Sequence, residues 1–461
     1  MRLLKRRLSL PFPLILATIA FLTYPALCFS LSSPCKVQPT TFEGWKGEEI
    51  SNDWVRLIIV PQLGGRLMQI TFGGHAYLFV NSKYKGQYFP PAEARSGQWF
   101  NYGGDKLWPL PEGHGAGEWP GPVSDALDDG EYEFGVVSQG SRCTVRLRGP
   151  ADPATGLQYS REISIGRDSP EISFHAVMTN ASDHPIRWSI QSVTQYDTAD
   201  SNDPGKYNRV FLAFAPLNAH SAYLGGYHVR SGLADDPSFE VKDGLFRLHW
   251  MYLQNEVWLD SDAGWIAVVD DSTKYAMVEQ FGYERGLEYP GKASVVFYKN
   301  GAALQLDDSG MPILRSATPE QAPYYMEAEL NSPMISLSPG SSYAMDTQWF
   351  PVRAGKDLKA VNAAGVMEQP LSVSMTPHGL HLSGEFGVFF PGKLTARVTD
   401  AGGSELGVVG LQSVDPLKEA RLDQTFTVAA NAYAISVHLV DESGIDRGTL
   451  GEAKISKSEV P

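Results

Sequence analysis

The amino-acid sequence predicts an all-β protein of antiparallel strands. Its 461 residues include 45 Gly and 31 Pro, spread without a repeat, which favours many tight turns over a repetitive or disordered chain. Between these turns lie short runs in which apolar and polar residues alternate, the pattern of a strand with one buried face. No segment before residue 350 shows the stripe of an amphipathic helix.

The first 30 residues are predicted to form a signal peptide. A basic start precedes an apolar stretch over residues 8–27, and Ala26-Leu27-Cys28 offers a small-x-small cleavage site, with Ser30 as a second candidate. Pro11 and Pro13 disfavour a permanent membrane helix at this position. We therefore expect export to the periplasm or the extracellular space, with no integral membrane segment after signal cleavage.

The strands of the main region are predicted from residue 54 onward. The pattern predicts them over residues 54–60, 66–72, 76–81, 131–139, 142–149, 157–166, 171–180, 186–196, 210–215, 245–253, 264–270, 275–283, 293–300, 324–331 and 342–352. Residues 82–130 show almost no periodic pattern, and within them the stretch 101–122 is so broken by glycine and proline that no regular element is expected.

The C-terminal part of the chain is predicted to be separate. Residues 354–365 have the composition of a linker, and residues 366–461 contain several further strands with glycine-rich turns. No cluster of catalytic residue types occurs there. This region is interpreted as a small β-sandwich accessory domain.

Net charge and motifs exclude several classes of partner. The formal net charge of −14 repels phosphate backbones, so nucleic acid is a poor partner. No dinucleotide fingerprint, phosphate loop or zinc-type spacing of cysteine and histidine is present, and neither a cofactor nor a metal is expected. After export, Cys35 and Cys143 would remain in an oxidising compartment, where they could pair in a disulfide or stay apart.

The stretch 99–119 combines ring side chains with polar ones. Sugars present C–H faces that stack on aromatic rings and hydroxyl groups that pair with polar groups, so this mixture suits a carbohydrate site. The alternative is that the rings merely seal one end of the sandwich. The residues concerned are Trp99, Phe100, Tyr102, Trp108 and Trp119 on the aromatic side, and Asn101, Asp105, Lys106, Glu112, His114 and Glu118 on the polar side.

Two carboxyl groups stand out near residue 327. Glu327 and Glu329 lie two residues apart in a predicted strand, so both face the same way, with Cα atoms about 7 Å apart. Such a pair can support acid–base chemistry on a sugar if the face lines a cleft. Otherwise the two residues belong to an exposed polar strand face.

Four motifs together resemble the galactose mutarotase-like, or aldose 1-epimerase-like, superfamily. In chain order they are GGRLMQITFGG, NYGGDKLWPLPE, TNASDHPIRWSI and YMEAELNSPMISLSPGSSY, and the resemblance covers about residues 40–353. It points to an exported branch with an N-x-GGDKLWP motif. It implies that residues 31–353 form a large antiparallel β-supersandwich whose concave face takes a monosaccharide or oligosaccharide.

The resemblance also implies roles for individual residues. Mutarotases of this superfamily use a glutamate as general base and a histidine as general acid, and Glu327 matches the glutamate. The strand that should carry the histidine has none between Gln191 and Gln195, so His114 is the candidate for the acid. The predicted substrate-binding residues are Arg66, Asn101, Asp105, Lys106, Trp108, Trp119, Gln195 and Glu329.

Three functions remain open on these observations. The first is an exported carbohydrate-binding protein. The second is an enzyme acting on sugars, as an epimerase or mutarotase, a lyase or a glycoside hydrolase, with Glu327 as general base and His114 or Lys106 as its partner. The third is a non-catalytic interaction module of the cell envelope. The first two require Glu327 and the 99–119 stretch to share one cleft, whereas the third does not.

Overall fold

The computed structural model describes residues 33–91, 99–122, 126–302, 304–306, 312–314 and 322–455. Nearly all regular structure in these residues is β-strand, and all strand pairs are antiparallel, which confirms the predicted all-β class. The signal peptide predicted for residues 1–30 lies outside the described residues. No helix in the described part of the chain is long and apolar enough to cross a membrane.

The strands of the main region are numbered along the chain. The first fourteen are β1 (Lys36–Phe42), β2 (Trp45–Ser51), β3 (Val55–Val60), β4 (Arg66–Phe72), β5 (His75–Ala76), β6 (Asp105–Leu110), β7 (Glu133–Ser138), β8 (Arg142–Ala151), β9 (Leu157–Gly166), β10 (Ile172–Asn180), β11 (Ile186–Asp197), β12 (Ala199–Asp200), β13 (Asp203–Tyr207) and β14 (Phe211–Pro216). The next twelve are β15 (His228–Ser231), β16 (Phe239–Lys242), β17 (Leu245–His249), β18 (Asn255–Leu259), β19 (Trp265–Asp270), β20 (Tyr275–Phe281), β21 (Val295–Lys299), β22 (Leu304–Leu306), β23 (Pro312–Leu314), β24 (Tyr325–Asn331), β25 (Ile335–Leu337) and β26 (Ser342–Arg353).

Eight further strands and a few short helical segments complete the description. The strands are β27 (Ala360–Val361), β28 (Gly365–Thr376), β29 (Gly379–Val388), β30 (Gly392–Thr399), β31 (Glu405–Val414), β32 (Ala420–Phe426), β33 (Ala434–Asp441) and β34 (Asp446–Lys454). The helical segments are the α-helix α1 (Ala126–Asp129) and the 3-10 helices Ser82–Tyr84, Leu224–Gly226 and Pro290–Lys292.

Two large sheets form the main region. One has twelve strands, in the order β1-β2-β3-β4-β6-β11-β24-β21-β18-β15, with β5 paired to β4 and β25 paired to β11. The other has ten strands, in the order β16-β17-β14-β19-β20-β26-β10-β9-β8-β7. Apolar side chains of both sheets meet in one core, with Ile70 and Leu330 from the first sheet and Phe174 and Trp349 from the second.

A disulfide bond links the start of the described chain to the ten-stranded sheet. Cys35 precedes β1, Cys143 lies on β8, and the two residues are 108 positions apart in the sequence. Both cysteines are buried among the apolar side chains of the core. The bond therefore ties the chain beside the edge strand of the twelve-stranded sheet to the other sheet.

The C-terminal strands form two four-stranded sheets. Their orders are β27-β28-β29-β32 and β31-β30-β33-β34. A second apolar cluster joins these sheets to the outer face of the ten-stranded sheet, where the rings of Phe350 and Phe389 stack with centroids 4.2 Å apart. The predicted linker 354–365 contains β27 and the first residue of β28, and Leu358 within it is fully buried.

One expectation about regular structure was wrong. The stretch 101–122 contains β6, which pairs with β11 over its whole length. All six residues of β6 are buried, so the strand lacks the alternation of apolar and polar residues that marks a strand with one solvent-exposed face. Among the described strands, β4 pairs with β6 only between Leu67 and Asp105. At Pro109, the paired strand is therefore β11 alone. Proline is tolerated at such an edge position.

Candidate functional site

A cleft of about 490 Å³ opens on one face of the twelve-stranded sheet. Its walls carry the rings of Trp99, Trp108, Trp258, Tyr298 and Tyr325. It is also lined by the carboxyl groups of Glu112, Glu118, Glu256, Glu327 and Glu329, with Gln191 and Arg230 beside them. Rings and carboxyl groups therefore share one concave surface.

The strand register explains why these side chains meet. Directly opposed residues of an antiparallel pair point to the same face of the sheet. Glu327 on β24 lies opposite Gln195 on β11 and Tyr298 on β21, and Tyr298 lies opposite Glu256 on β18. One row of polar side chains thus crosses four neighbouring strands.

A second row runs parallel to the first, two residues along each strand. Glu329 lies opposite Val193 on β11 and Val296 on β21. Beyond these, Lys106 on β6 faces Val193, and Trp258 on β18 faces Val296. Lys106 and the Trp258 ring therefore stand on either side of Glu329.

Two adjacent glycines allow β6 to enter the sheet. Gly103 has a φ of 96°, and a Cβ atom on it would lie 2.1 Å from the backbone oxygen of Phe79. Gly104 has a φ of 75°, and a Cβ atom there would lie 2.7 Å from the backbone oxygen of Leu67. Only glycine fits both conformation and space. The GGDK part of the motif therefore places Lys106 on the cleft face.

Glu327 and Glu329 have different neighbours although both are buried. The Nζ atom of Lys106 lies 3.5 Å from Oε1 of Glu327, and Gln195 donates a hydrogen bond of 2.5 Å to the same oxygen. Glu329 accepts a hydrogen bond from the side-chain amide of Gln191. Each carboxyl group thus has a side-chain amide beside it, and Glu327 also has the Lys106 cation within 4 Å.

Lys106 is an unusual buried cation. Its side chain is 1% exposed, and Nζ lies 4.5 Å from the centre of the Trp108 ring. Among the described residues, Nζ donates no hydrogen bond. Burial lowers the pKa of Lys106, and the charge of Glu327 opposes that shift.

Burial also changes the acidity of the carboxyl groups around Glu327. It raises the pKa of Glu329 well above its ordinary value, and the charges of Glu327 and Glu256 raise it further. The pKa values of Glu256 and Glu112 are raised by the same cause. Glu112 is exposed to solvent, and it also lines the cleft. These three groups therefore keep their protons to a higher pH than free carboxyl groups do.

A buried aspartate holds one aromatic wall in place. Oδ1 of Asp128 accepts a hydrogen bond of 2.8 Å from the indole of Trp108, and Oδ2 accepts one of 3.2 Å from the indole of Trp99. Arg66 pairs with the same aspartate at 2.7 Å, and both side chains are fully buried. Arg66 therefore supports the wall from behind and does not line the cleft.

The opposite wall is built on β15 and β18. The indole of Trp258 donates a hydrogen bond of 2.5 Å to Glu256, and the guanidinium group of Arg230 lies 4.7 Å from the centre of the Trp258 ring. Arg230 also approaches Glu256 at 3.5 Å and the backbone oxygen of Glu112 at 3.5 Å. Arg230 thus connects the two walls.

Sequence reasoning missed this second wall and the aspartate behind the first. Glu256 and Trp258 alternate with Val257 and Leu259 in β18, so the pattern of a strand with one polar face was present. Because β18 is far from residue 327 in the sequence, its position near Glu327 in the sheet could not be predicted. Asp128 had no such signal, since α1 has only four residues.

The predicted site residues are not all at the cleft. Trp119 packs behind Trp108 with ring centroids 5.4 Å apart, and Asn101 contacts Tyr325 at the edge. Asp105 lies on the opposite face of β6, where it pairs with Arg161 of the other sheet. His114 is exposed in the loop after β6 and is not among the residues that line the cleft.

Gln195 lies at the bottom of the site. It is fully buried, is not among the residues that line the cleft, and donates a hydrogen bond to Glu327, which does line it. The structure therefore brings Glu327, Glu329, Lys106 and Trp108 together and leaves His114 outside. Within the described part of the chain, no group of three or more histidine, cysteine, aspartate or glutamate side chains could hold a metal ion.

Comparisons with known proteins give structural neighbours only. No family model matches the sequence, and no curated protein matches it. A solved structure of a putative aldose 1-epimerase from Klebsiella pneumoniae shares 17% identity, over 70% of this chain and 84% of that one, with a TM-score of 0.44. A galactose mutarotase-like protein from Clostridium acetobutylicum shares 9% identity, over 69% and 99% of the two chains, with a TM-score of 0.43.

A third neighbour is larger than this chain. It is a TPR-domain-containing protein from Parabacteroides distasonis, with 15% identity and a TM-score of 0.43. The match covers 70% of this chain and 54% of that one, so this chain spans about half of that protein's length. Galactose mutarotase-like and aldose 1-epimerase-like proteins are thus among the structural neighbours, as the sequence resemblance predicted. These likenesses concern the fold, and the chemistry of the cleft follows from the residues of this chain.

Proposed function

We propose that this protein binds a carbohydrate, as a monosaccharide or part of an oligosaccharide, in the cleft around Glu327. The observation that carries the proposal is the meeting of ring faces and carboxyl groups on one concave surface. Rings of Trp108 and Trp258 can stack on the C–H faces of a sugar, and carboxyl oxygens can accept hydrogen bonds from its hydroxyl groups. The volume of about 490 Å³ lies within the range of about 300–1,000 Å³ typical of small-molecule sites.

The polar groups of the cleft favour a ligand rich in hydroxyl groups. Carboxylates accept hydrogen bonds, whereas Arg230 and the amide of Gln191 can donate them. Sugar hydroxyl groups both donate and accept, so they can pair with either kind of group. A purely apolar ligand would leave these groups desolvated and unpaired, at a cost of about 1–3 kcal/mol each.

We further propose that the protein is exported. The basic and apolar start of the sequence is that of a signal peptide. The disulfide bond between Cys35 and Cys143 is consistent with an oxidising compartment such as the periplasm or the extracellular space. Export would place the cleft among the glycans of the cell envelope or of the surroundings.

An enzyme acting on sugars is the second candidate function. The observation that favours it is the unequal pair of Glu327 and Glu329, because a binding site has no need to hold two carboxyl groups in different environments side by side. In this interpretation Glu327 is the general base. His114 is unsuited as its partner in this structure, because it stands in the exposed loop.

The binding proposal is tested with a glycan array followed by calorimetric titration of the best ligand. We expect Glu256→Gln to weaken binding about tenfold or more, since hydrogen bonds to charged groups contribute about 1.5–3 kcal/mol. Glu405→Gln is the matched control, because Glu405 is exposed on β31 and lies outside the cleft. Absence of binding to every glycan, or equal losses in both variants, would refute the proposal.

A further inference from the structure

Three side chains on one face of a C-terminal sheet form a chain of hydrogen bonds. Ser436 and His438 lie on β33, and Asp446 is the first residue of β34. Oγ of Ser436 lies 3.0 Å from Nε2 of His438, and Nδ1 of His438 lies 3.0 Å from Oδ2 of Asp446. With its proton on Nδ1, the imidazole donates to the carboxylate and accepts from the hydroxyl group. The same order of groups activates the nucleophile of Ser–His–Asp hydrolases.

The pairing of β33 with β34 is irregular where Asp446 joins it. The register shifts twice, and the second shift lies between Leu439 and Val440. Without this shift Arg447 would lie opposite Val440, whereas with it Asp446 takes that place. Val440 shares the face of His438, because the two residues are two positions apart on one strand. The irregularity thus turns Asp446 towards the histidine, as bulges beside active sites often do for a side chain.

Within the described part of the chain, no other histidine has both kinds of neighbour. Three others contact a carboxyl group across a pair of strands, and none of them contacts a hydroxyl group with its second ring nitrogen: His175, His249 and His381. Exposed pairs of this kind are common on sheet faces and contribute little to stability. The contact between Ser436 and His438 therefore sets this group apart from an ordinary surface ion pair.

A cation lies beside the three residues. Arg397 on β30 is directly opposite Ser436, so the two side chains share a face. Nη2 of Arg397 donates a hydrogen bond to Asp446, and the side chain of Arg397 is 36% exposed. A guanidinium group has five N–H donors, so others remain for a negatively charged oxygen that forms next to Ser436. Acyl transfer to a serine needs such donors for its oxyanion.

Asp446 is held in its ionised form. Partial burial acts to raise its pKa, but hydrogen bonds from the Gly448 backbone and from His438, with the charge of Arg397, keep that pKa below the ordinary value. An ionised aspartate fixes the proton of His438 on Nδ1 and leaves Nε2 to take the proton of Ser436. The side chains of His438 and Asp446 are 17% and 32% exposed, so solvent and a substrate can reach them.

We propose that Ser436, His438 and Asp446 hydrolyse carboxylic esters that carry a short acyl group, such as an acetyl group. Ser436 is the nucleophile, His438 is the general base and acid, and Asp446 positions the histidine. The side chains directly opposite Ser436 and His438 on the two neighbouring strands are all polar, namely Thr395, Arg397, Thr449 and Glu452. They offer no apolar surface to a long acyl chain, which favours a short acyl group on a polar alcohol. This activity is independent of the cleft on the twelve-stranded sheet.

The reaction balances with water as the co-reactant. Oγ of Ser436 attacks the carbonyl carbon while Nε2 of His438 takes the hydroxyl proton, and one electron pair of the carbonyl bond moves to its oxygen. When that bond re-forms, the bond to the alcohol oxygen breaks, and the alcohol leaves with the proton from Nε2. Water then attacks the acyl group and gives a proton to Nε2. The bond to Oγ breaks, Ser436 regains its proton, and the carboxylic acid is released.

Hydrolysis of p-nitrophenyl acetate by the intact protein, with labelling by a fluorophosphonate probe, tests the inference. The wild type should release p-nitrophenol, and the probe should form a phosphonyl ester with Oγ of Ser436, with loss of fluoride, in peptide mass spectrometry. Ser436→Ala should lower kcat/KM at least 100-fold, because the nucleophile is lost. Ser413→Ala is the matched control and should equal the wild type, since Ser413 is exposed on β31 of the same sheet.

A separate pair of variants tests the positioning role of Asp446. Asp446→Asn should lower kcat at least tenfold and change KM less than threefold, because the proton of His438 is no longer fixed on Nδ1. Asp446→Glu keeps a carboxylate and should recover part of that rate. Equal hydrolysis by the wild type and Ser436→Ala, absence of hydrolysis by the wild type, or a probe that labels only other residues would overturn the proposal. None of these results would affect the proposed carbohydrate site.

Discussion

Charged side chains between the two sheets and charged side chains in the cleft are arranged differently. In the interior, two buried carboxylates each pair with a buried cation, Asp105 with Arg161 and Asp236 with Lys299. In the cleft, five carboxyl groups face one another with Lys106 and Arg230 as the nearby cations. Charges that serve the fold are thus neutralised locally. Burial and the excess of carboxyl groups raise the pKa values of Glu329, Glu256 and Glu112 in the cleft, and this excess supports the proposed ligand site.

Two neighbours on β6 show the contrast most directly. Asp105 faces the interior, where it pairs with Arg161 and accepts a hydrogen bond of 3.2 Å from Thr194. Lys106, the next residue, faces the cleft, and among the described residues its Nζ atom donates no hydrogen bond. A single strand therefore carries a structural charge on one face and a charge suited to function on the other.

The largest effect is expected from breaking an interior pair. Asp105→Ala leaves the guanidinium group of Arg161 buried without its carboxylate, which should lower the free energy of unfolding by about 3–5 kcal/mol. Denaturant unfolding measures this loss. The control is Asp346→Ala, which removes an exposed partner of His175 and should change stability by less than about 1 kcal/mol. Similar losses in the two variants would contradict the distinction between interior and surface charges.

A buried carboxyl group with a protein donor predicts a pH dependence of stability. Glu279 on β20 accepts a hydrogen bond of 2.5 Å from Tyr196, and burial raises its pKa from 4.5 to about 8. Because the folded state holds this proton and the unfolded chain releases it, stability should fall as pH rises from about 4.5 to about 8. Glu279→Gln should remove up to about 4 kcal/mol of this fall in urea unfolding measured across the window. An unchanged slope would show that Glu279 does not hold the proton.

Asp128 connects the two regions and should affect both. It pairs with Arg66 in the interior and holds the indoles of Trp99 and Trp108 at the cleft. Asp128→Asn should lower the free energy of unfolding by about 2 kcal/mol, because the buried Arg66 loses its counter-charge. The wall should also loosen, so affinity for the best glycan should fall in calorimetry. A stability loss with unchanged affinity would show that the wall does not contact the ligand.

The last expected effect is a gain in stability rather than a loss. The folded-state pKa of Glu329 lies above its unfolded value, so the wild type loses stability as pH rises above about 4.5 and this carboxyl group is forced to ionise. Glu329→Gln removes this unfavourable ionisation and keeps an oxygen that can accept the hydrogen bond from Gln191. We expect Glu329→Gln to be more stable than the wild type at about pH 8 and little changed near pH 4 in thermal unfolding. A loss at high pH would mean that Glu329 is a structural charge like Asp105.

Much of the fold was predictable because alternation and turn residues report local structure. The strands around residues 54–72 and β24 lie close to their predicted positions. Burial on both faces removed the alternation from β6, and the stretch 101–122 therefore looked irregular. Pairing with β11 overrides this weak local preference.

The site was predictable only where one segment carried the signal. Glu327 and Glu329 stood out by their spacing, and Lys106 and Trp108 by the motif around them. Glu256 joins them through two intervening strand pairings, and a sequence does not reveal the order of strands in a sheet. The face of each residue in β6 also depends on register, which is why Asp105 and Lys106 could not be told apart.

The central claim is that the cleft around Glu327 is where a carbohydrate binds. The most direct test is an NMR titration of the protein labelled at its 10 tryptophan indoles with the best ligand of the glycan array. The indole signals of Trp99, Trp108 and Trp258, which line the cleft, should shift with one common dissociation constant, while the buried indole of Trp349 between the sheets should not. Shifts confined to tryptophans outside the cleft, or no shift at saturating glycan, would contradict the claim.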